Sequence, residues 1–270
     1  MKSKKNIAQG NSASVTVCMA TYNGVKYLSE QVMSVLSQLN ASDELIIVDD
    51  CSVDNTVELI RNINDPRIIV IKNNENKREI KTFERAISLA KNDLIFLSDQ
   101  DDIWVPGRLN LMSRALINGD ADVVASNFTW IDSRGSSINV TVDGVSADAS
   151  RSYIKNITDI FLGKTNYYGC AMAFHRRFLP IVLPIPRLVE SHDLWIALAA
   201  NLARSNSHLN DVTLLKRQHG SNATSPVSTR KLHQKIWSRV IFLVCIVIVF
   251  RRLIIFYFRR TLAENRNHTL

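Results

Sequence analysis

The sequence predicts an α/β fold in which helices flank a mostly parallel, Rossmann-like sheet. Five short apolar runs rich in β-branched residues lie at residues 15–20, 45–48, 68–71, 94–97 and 123–125. Uninterrupted runs of this kind are typical of strands that are covered on both faces. The first two of these runs are each followed by a segment whose apolar residues have the spacing of a helix. Strands that alternate with helices usually form a parallel sheet.

The helical segments follow the first two strands. After the first strand, apolar residues recur at intervals of three and four: Leu28, Val32, Val35, Leu36 and Leu39. After the second strand the same spacing is less regular: Val57, Leu59, Ile60 and Ile63. Both patterns place apolar side chains on one face of a helix.

The second half of the chain alternates less clearly. Residues 132–135 predict a turn between short strands, and the polar residues 141–156 predict a mobile loop. Residues 168–174 are strand-like, residues 194–202 predict a helix, and residues 212–215 predict a last strand.

Composition is that of a globular chain with a basic tail. The chain has 270 residues, 46% of them apolar, which allows one large domain or two small ones. Ten of its 33 lysines and arginines lie between Val212 and Ala263, where there is no acidic residue, and the other 23 nearly balance 25 acids. These ten residues are interleaved with aliphatic ones, which argues against nucleic acid and for an anionic membrane surface as partner.

The first 13 residues are polar and contain lysines but no apolar core, so we expect this segment to be neither a signal peptide nor a membrane anchor. We therefore expect the body of the protein in the cytosol. The four cysteines are widely spaced, without Cys-x-x-Cys or a cluster of zinc spacing, and we expect reduced thiols that pack in the core.

The run at residues 94–97 ends in Ser98-Asp99-Gln100-Asp101-Asp102, which places three acids within four residues. Carboxylates this close repel one another, and a cation makes such a group tolerable. The pattern suggests a divalent metal that holds a phosphorylated substrate. The alternative is a solvated acidic loop in which an aspartate caps a helix.

Other strand ends are also polar, with Thr21-Tyr22-Asn23-Gly24, Asp49-Asp50-Cys51-Ser52 and Asn73-Asn74. In parallel sheets, ligands bind beyond the carboxyl ends of the strands, so these residues should line one cleft. Neither a Gly-x-Gly-x-x-Gly nor a Gly-x-x-x-x-Gly-Lys-Ser/Thr motif is present, which argues against dinucleotide redox enzymes and P-loop hydrolases.

Four motifs in order resemble family 2 glycosyltransferases: residues 20–24 (ATYNG), 48–56 (VDDCSVDNT), 98–104 (SDQDDIW) and 192–195 (HDLW). The resemblance covers residues 14–220, and the third motif is most similar to bacterial rhamnosyltransferase-type members that build O-antigens and capsules. It implies a GT-A fold, a nucleotide-sugar donor such as dTDP-rhamnose, Mg²⁺ or Mn²⁺, and inversion at the anomeric carbon.

The resemblance also implies roles for single residues. Thr21, Tyr22, Asn23 and Asp50 would bind the nucleoside, Asp99 and Asp101 would form the Asp-x-Asp with Asp101 as the direct metal ligand, Asp193 would be the general base, and Arg217 and His219 would lie near the diphosphate and the metal. Three of these residues have a purely structural alternative: Asp193 could cap a helix, Asp50 could form turn and capping hydrogen bonds with Ser52, and His219 could be a surface residue.

These roles agree with the chemistry of sugar transfer. A cation stabilises the charge that develops on a nucleoside diphosphate leaving group, and a carboxylate can take the proton of the acceptor hydroxyl. The Gln-x-x-Arg-Trp motif of processive synthases is missing, which predicts the addition of single sugars.

The basic tail contains eleven continuous apolar residues at 240–250, then Arg251-Arg252, then apolar residues at 253–258. Eleven helical residues extend about 16 Å, against a hydrocarbon core of about 30 Å. We expect an interfacial or re-entrant helix. The alternative is a helix that packs on the catalytic domain or on a second copy.

Together these features predict a polar leader (1–13), a GT-A domain (14–222) with a nucleotide-sugar and metal half (14–127) and an acceptor half (128–222), and a membrane-associating tail (223–270). The expected partners are a nucleotide-sugar and a glycan or lipid-linked acceptor, at the cytoplasmic face of the inner membrane. Alternatives are a nucleotidyltransferase, for which the usual glycine-rich phosphate loop is missing, and a catalytically inactive membrane scaffold. The oligomeric state stays open.

Overall fold

A computed structural model describes residues 13–140, 144–165, 167–220 and 231–267 and has the predicted α/β architecture. The strands are β1 (Val15–Thr21), β2 (Glu44–Asp49), β3 (Ile68–Lys72), β4 (Leu94–Ser98), β5 (Ile103–Trp104), β6 (Val123–Ile131), β7 (Met172–His175) and β8 (Asn206–Arg217). The helices are α1 (Leu28–Leu36), α2 (Thr56–Ile63), α3 (Arg78–Leu89), α4 (Arg108–Asn118), α5 (Tyr153–Leu162), α6 (Leu179–Val182), α7 (His192–Leu202) and α8 (Leu232–Asn267). The predicted leader, except for Ala13, and the predicted boundary at residues 222 and 223 lie outside the described residues.

The strands form one sheet in the order β3-β2-β1-β4-β7-β6-β8-β5. β1 is parallel to β2 and β4, and β2 is parallel to β3, so four carboxyl ends lie at one edge. β7 runs antiparallel to β4 and β6, β8 is parallel to β6, and the short β5 is antiparallel to β8. The predicted mostly parallel sheet is confirmed.

Helices cover both faces of this sheet because successive strand side chains point in opposite directions. Cys18 and Ile95 pack on one side, together with residues of α3, α5, α7 and α8. Val17 and Phe96 pack on the other side, together with residues of α1, α2 and α4. All four cysteines are free, as predicted, and three are buried while Cys51 is half-buried.

The structure contradicts two sequence predictions: the loop at residues 141–156 and the burial of β3 on both faces. The loop predicted at residues 141–156 is wrong in its second part, because a short 3-10 turn forms at Ala147–Ala149 and α5 begins at Tyr153. Asn156 is buried there and donates to Ala149 O (2.8 Å) and Asn201 Oδ1 (2.9 Å), so a polar residue belongs to the core. β3 is an edge strand and only partly buried, not covered on both faces.

Other elements exist where they were expected but have different bounds, and several were not foreseen. The strand expected at residues 168–174 begins only at Met172, after a 3-10 turn at Gly169–Ala171. β8 is longer than residues 212–215 because it pairs with β6 from Asn206 onward. Helices α3, α4 and α6 and the short strand β5 were not predicted. The turn at residues 132–135 is confirmed, with Gly135 at a φ of +88°.

α8 runs as a single helix through Arg251 and Arg252 and packs one face on the domain. Cys245, Val249 and Leu253 are buried in the core cluster that includes α6 and α7. Arg252 donates to three carbonyl oxygens at the end of α6: Ile181 (2.8 Å), Val182 (3.0 Å) and Pro184 (2.6 Å). The alternative of a helix that packs on the catalytic domain therefore holds for this face.

The opposite face of α8 is apolar and exposed. Val247 and Ile254 are 67% and 70% exposed, and other exposed apolar residues lie along the same helix. The stretch Leu232–Leu262 is long and apolar enough to cross a membrane, judged by length and composition alone. The continuous helix exceeds the eleven-residue run that the sequence analysis considered.

Candidate active site

The carboxyl ends of β1, β2 and β4 open into a cleft of about 330 Å³. Its lining comes from the strand ends, the start of α3, the start of α7 and the end of β8: Ala20, Thr21, Tyr22, Asp50, Asn76, Arg78, Glu79, Thr82, Phe83, Asp99, Gln100, Asp101, Trp130, Tyr168, Gly169, His192, Asp193, Lys216 and Gln218. All four sequence motifs therefore contribute to one cleft, as the position of the strand ends predicts.

Three of the four predicted nucleoside-binding residues line the cleft. Thr21 is buried and donates to Asp49 Oδ2 at 3.3 Å. The main chain of Tyr22 is fixed by Gln100, whose Oε1 accepts from its N–H (2.9 Å) and whose Nε2 donates to its carbonyl (3.1 Å). Asp50 is buried, and its Oδ1 accepts from Asn73 Nδ2 (2.7 Å) and Lys77 N (2.8 Å). The turn chemistry with Ser52 belongs to Asp49, not to Asp50.

Asn23 is placed differently from the other three and does not line the cleft. Its φ is +47°, its N–H donates to Ser52 Oγ (2.8 Å), and its Oδ1 accepts from Val53 N (3.0 Å). Asparagine tolerates the left-handed region and bonds nearby backbone. These contacts join the turn after β1 to the loop after β2. Direct contact between Asn23 and the nucleoside stays a prediction, and the position of Asn23 outside the cleft does not favour it.

The acidic loop after β4 divides its carboxylates between the cleft and the core. Asp99 and Asp101 line the cleft, while Asp102 is fully buried and accepts from Arg217 N at 2.9 Å. Burial raises the pKa of Asp101 to about 6, with Asp99 adding to the effect. Burial also raises the pKa of Asp102 to about 7, against the effect of Lys216. Burial acts in the same direction on Asp99, but the Lys216 ammonium outweighs it and lowers the pKa of that carboxyl.

The chain at the end of β8 turns alternate side chains to opposite sides, as in any strand. Lys216 and Gln218 line the cleft, whereas Arg217 and His219 pack on the ring of Tyr27. Arg217 Cζ lies 4.7 Å and the centroid of the His219 ring 4.8 Å from the centroid of the Tyr27 ring. The Arg217 guanidinium donates to Glu30 Oε2 (2.6 Å) and to Asp101 O (2.9 Å). Its predicted place near a diphosphate stays a prediction that these contacts disfavour.

Two groups of residues could hold a metal, and they differ in fit. The ligand atoms of Asp99, Asp102 and Cys170 lie within 4.8 Å of one another, but Lys216 Nζ is already 3.1 Å from Asp99 Oδ2 and 3.4 Å from Cys170 Sγ. A thiol also suits soft metals. Asp101 Oδ2 and His219 Nε2 are hydrogen-bonded at 2.8 Å, so a carboxylate oxygen and an imidazole nitrogen lie together beside the cleft. A divalent ion could take the place of the shared proton, and this pair is the better candidate for the predicted metal site.

Asp193 lies in the first turn of α7 and lines the cleft. The N-cap residue of that helix is Ser191, whose Oγ accepts from Leu194 N at 3.3 Å, and Asp193 Oδ1 accepts from the same N–H at 3.2 Å. Asp193 therefore shares in capping the helix while its carboxylate lines the cleft. Its Oδ2 accepts from Gly169 N (3.2 Å) and its Oδ1 from the Ser191 hydroxyl. The carboxylate is thus held in place at the cleft wall.

Gly169 is needed because α7 approaches it closely. A Cβ at this position would lie 2.6 Å from His192 Nε2 and 3.5 Å from Asp193 Cβ. We expect Gly169→Ala to displace the His192 ring from Phe83, on which it stacks at 4.3 Å, and to lower the free energy of unfolding by about 1–3 kcal/mol. Chemical denaturation checks this. In the control Gly220→Ala, a Cβ meets nothing within 4 Å, and equal stability of both variants would contradict the packing argument.

Sequence reasoning missed four acidic or basic residues of the cleft: Arg78, Glu79, His192 and Lys216. His192 is buried, and its Nδ1 lies 3.4 Å from Glu79 Oε1. The Glu79 side chain is 46% exposed, but desolvation in the cleft raises its pKa to about 7, opposed by His192 and reinforced by Asp99 and Asp193. A sequence signal existed only for His192, which is part of the fourth motif, and for Lys216, which precedes the Arg-x-His segment.

The chain matches the family described as Glycosyl transferase family 2 over residues 16–180, which is more than half of its length. The chain belongs to glycosyltransferase family 2. The resemblance that the four motifs indicate is thereby confirmed, and the cleft described above is the candidate active site of a family 2 domain.

Relatives of this family 2 chain include enzymes of bacterial polysaccharide assembly. It is 38% identical over 96 residues to the UDP-Glc:alpha-D-GlcNAc-diphosphoundecaprenol beta-1,3-glucosyltransferase WfaP of Escherichia coli, covering 36% of this chain and 38% of that protein. It is 35% identical over 116 residues to the dTDP-rhamnosyl transferase RfbG of Shigella flexneri, covering 40% of each. The matched region thus spans less than half the length of both relatives.

Solved structures confirm the GT-A fold of the family 2 domain. The crystal structure of S. aureus TarS in complex with UDP-GlcNAc superposes with a TM-score of 0.65, covering 86% of this chain and 66% of that chain. Its sequence identity is 18%, so the likeness concerns the fold.

Proposed function

We propose that this protein is an inverting, metal-dependent glycosyltransferase that moves one sugar from a nucleotide-sugar to a lipid-linked or cell-surface glycan acceptor. The observation that carries the proposal is that Asp193 of α7 and the acidic loop after β4 line the same cleft. One carboxylate can then act on the acceptor while the loop acts on the donor. Family membership supports the reaction class.

The donor nucleoside would bind at the ends of β1 and β2. Thr21, Tyr22 and Asp50 line that part of the cleft, and the Asp50 carboxylate can accept a hydrogen bond from a base N–H. Because Asp50 is held by Asn73 and Lys77, it needs little ordering when the base arrives.

Asp101 and His219 would hold a divalent ion, Mg²⁺ or Mn²⁺, with Asp99 beside it. Such an ion neutralises charge on the phosphates of a nucleoside diphosphate leaving group. Asp193 would accept the proton of the acceptor hydroxyl, and its bonds from Ser191 and Gly169 orient it for that role.

The names of the relatives suggest the substrates. WfaP is named for UDP-Glc and a GlcNAc-diphosphoundecaprenol acceptor, and RfbG for dTDP-rhamnose. We infer an acceptor sugar linked through diphosphate to a polyprenol, and dTDP-rhamnose as the donor to test first. The exposed apolar face of α8 supports a place at a membrane surface. We propose the cytoplasmic face of the inner membrane, where an acceptor of this kind would be within reach.

A transfer assay tests this proposal. Full-length protein is incubated with dTDP-rhamnose, UDP-glucose, UDP-GlcNAc or GDP-mannose and with GlcNAc-diphosphate carried on a polyprenol or on a short alkyl chain, with Mn²⁺ or with EDTA. We expect one donor to give a product larger by one sugar in the presence of Mn²⁺, with an inverted anomeric configuration by NMR. Absence of transfer together with formation of a nucleotide-sugar from a nucleoside triphosphate and a sugar phosphate would instead identify a nucleotidyltransferase.

Asp101→Ala tests the metal site. We expect Mn²⁺ to lose its effect on UDP affinity in this variant, because a ligand is gone, while the melting temperature without metal stays equal or rises because repulsion among the loop carboxylates falls. Calorimetry and thermal unfolding measure both. His219→Ala should lose the Mn²⁺ effect in the same way. An undiminished Mn²⁺ effect in both variants would place the ion elsewhere.

A further inference from the structure

Lys216 is a buried cation at the wall of the cleft. It is 9% exposed, and its Nζ lies 3.1 Å from Asp99 Oδ2, 3.4 Å from Cys170 Sγ and 3.7 Å from Asp102 Oδ2. The ammonium also lies 5.2 Å from the centroid of the Tyr168 ring. β8 fixes this position, since Lys216 pairs with Trp130 of β6 and its side chain points to the opposite side from Arg217.

The cleft is otherwise strongly acidic. Asp50, Glu79, Asp99, Asp101 and Asp193 line it, and Arg78 and Lys216 are the only lysine or arginine among the described lining residues. A nucleoside diphosphate entering next to Asp99 would meet like charge, which is unfavourable unless a cation lies between the anionic groups. Of the two cations, Lys216 is the one in contact with the acidic loop.

The position of the ammonium leaves it able to bind a ligand. An ammonium has three N–H donors, and within the described part of the chain only Asp99 Oδ2 and Cys170 Sγ accept from it. The thiol is a weak acceptor, and Asp102 Oδ2 at 3.7 Å is beyond hydrogen-bonding distance. Arg217, the residue that the sequence suggested for this role, has its guanidinium engaged with Glu30 and Asp101 O.

We propose that Lys216 binds the diphosphate of the donor and gives the cleft affinity for a nucleoside diphosphate in the absence of a divalent ion. This inference rests on the proposed function, because it assumes a nucleotide-sugar donor. The ammonium acts as a fixed positive charge beside Asp99, apart from the Asp101–His219 pair that is proposed to hold the ion. Lys216 is therefore a binding residue in addition to a partner for the buried acids.

Calorimetric titration of UDP and dTDP in EDTA tests the inference. We expect Lys216→Met to weaken binding of the nucleotide that the wild type prefers by about ten- to a hundredfold, the loss of one charge-assisted hydrogen bond. With saturating Mn²⁺ the loss should be smaller, since the ion supplies positive charge independently. Lys91→Met is the matched control. It removes the same charge from an exposed position outside the cleft and should bind like the wild type.

Lys216→Met leaves the buried Asp102 without its nearby cation, so a second variant separates folding from binding. Asp102→Asn keeps the oxygen that accepts from Arg217 N, and the pair Asp102→Asn with Lys216→Met removes one charge of each sign. We expect Asp102→Asn alone to bind as the wild type does and the double variant to show the same loss in EDTA as Lys216→Met.

Wild-type affinity in EDTA for the folded double variant would overturn the role of Lys216, and so would a wild type that does not bind either nucleotide without a divalent ion. Sugar transfer by the wild type is a separate readout. A wild type that binds the nucleotide through Lys216 but transfers no sugar contradicts the proposed function and leaves this inference standing.

Discussion

Asp193→Asn is expected to lower turnover by about 10² to 10⁴, the usual contribution of general base catalysis. Asparagine has the size of aspartate but cannot take the proton of the acceptor hydroxyl. The cap of α7 is provided by Ser191, so the helix should keep its start in the variant. Because the proposed nucleoside-binding residues lie at the ends of β1 and β2, UDP affinity should change little. Steady-state kinetics on the preferred donor, together with calorimetry, measure the two effects separately.

Glu79 provides the sharpest comparison for this experiment. It lines the same cleft, where desolvation raises its pKa to about 7 although 46% of its side chain is exposed, and this pKa range is typical of acid–base catalysts. If Asp193 is the base, Glu79→Gln should retain far more turnover than Asp193→Asn. The reverse order would move the role of the base to Glu79 and reduce Asp193 to a residue that holds Gly169 in place.

The central strands were predictable because their side chains are buried on both faces. β1, β2 and β4 consist of continuous apolar runs, and the sequence locates each within one residue at either end. β8 was found only in part, since its first residues are polar. His208 is nevertheless buried there, with Tyr167 OH at 2.8 Å from its Nε2 and Ser146 O at 3.0 Å from its Nδ1. His208 can be buried because it forms hydrogen bonds with residues that are distant in sequence. The sequence around His208 does not reveal such partners.

Site residues were predictable where a motif follows the end of a parallel strand. They were less predictable where the direction of a side chain determines whether it lines the cleft. Asp50 follows β2, and Asp99 and Asp101 follow β4. These carboxylates reach the same cleft because the two strands flank β1 and run parallel to it. At the end of β8 the choice between Lys216 and Arg217 depends on which face of the strand meets the cleft. A shift of one residue in register exchanges the two faces, and the pairing of β8 with β6 and β5 fixes it.

The tail combines two interpretations that the sequence had treated as alternatives. One face of α8 packs on the domain through Val249, Leu253 and Arg252, and the other face exposes Val247 and Ile254. The packed face means that removal of the whole helix would uncover part of the core. Experiments on membrane association should therefore change the exposed face alone.

The double variant Val247→Gln and Ile254→Gln is expected to bind anionic vesicles roughly 10²-fold more weakly than the wild type. Each exchange removes about 1.5 kcal/mol of apolar burial, and about 3 kcal/mol corresponds to roughly that factor in affinity. Because both side chains are exposed, the melting temperature should stay unchanged. Sedimentation with vesicles that contain phosphatidylglycerol, at low and high salt, measures the binding.

Two further variants separate apolar insertion from charge and from folding. Arg251→Gln with Arg259→Gln removes two exposed charges, each contributing about 1 kcal/mol near an anionic surface, and should weaken binding only at low salt, because salt screens this attraction. Val249→Gln changes the packed face and should lower the melting temperature instead, since Val249 is fully buried. If high salt alone released the wild type from vesicles, insertion of α8 would be wrong, and its exposed apolar face would need a protein partner, such as a second copy of the chain.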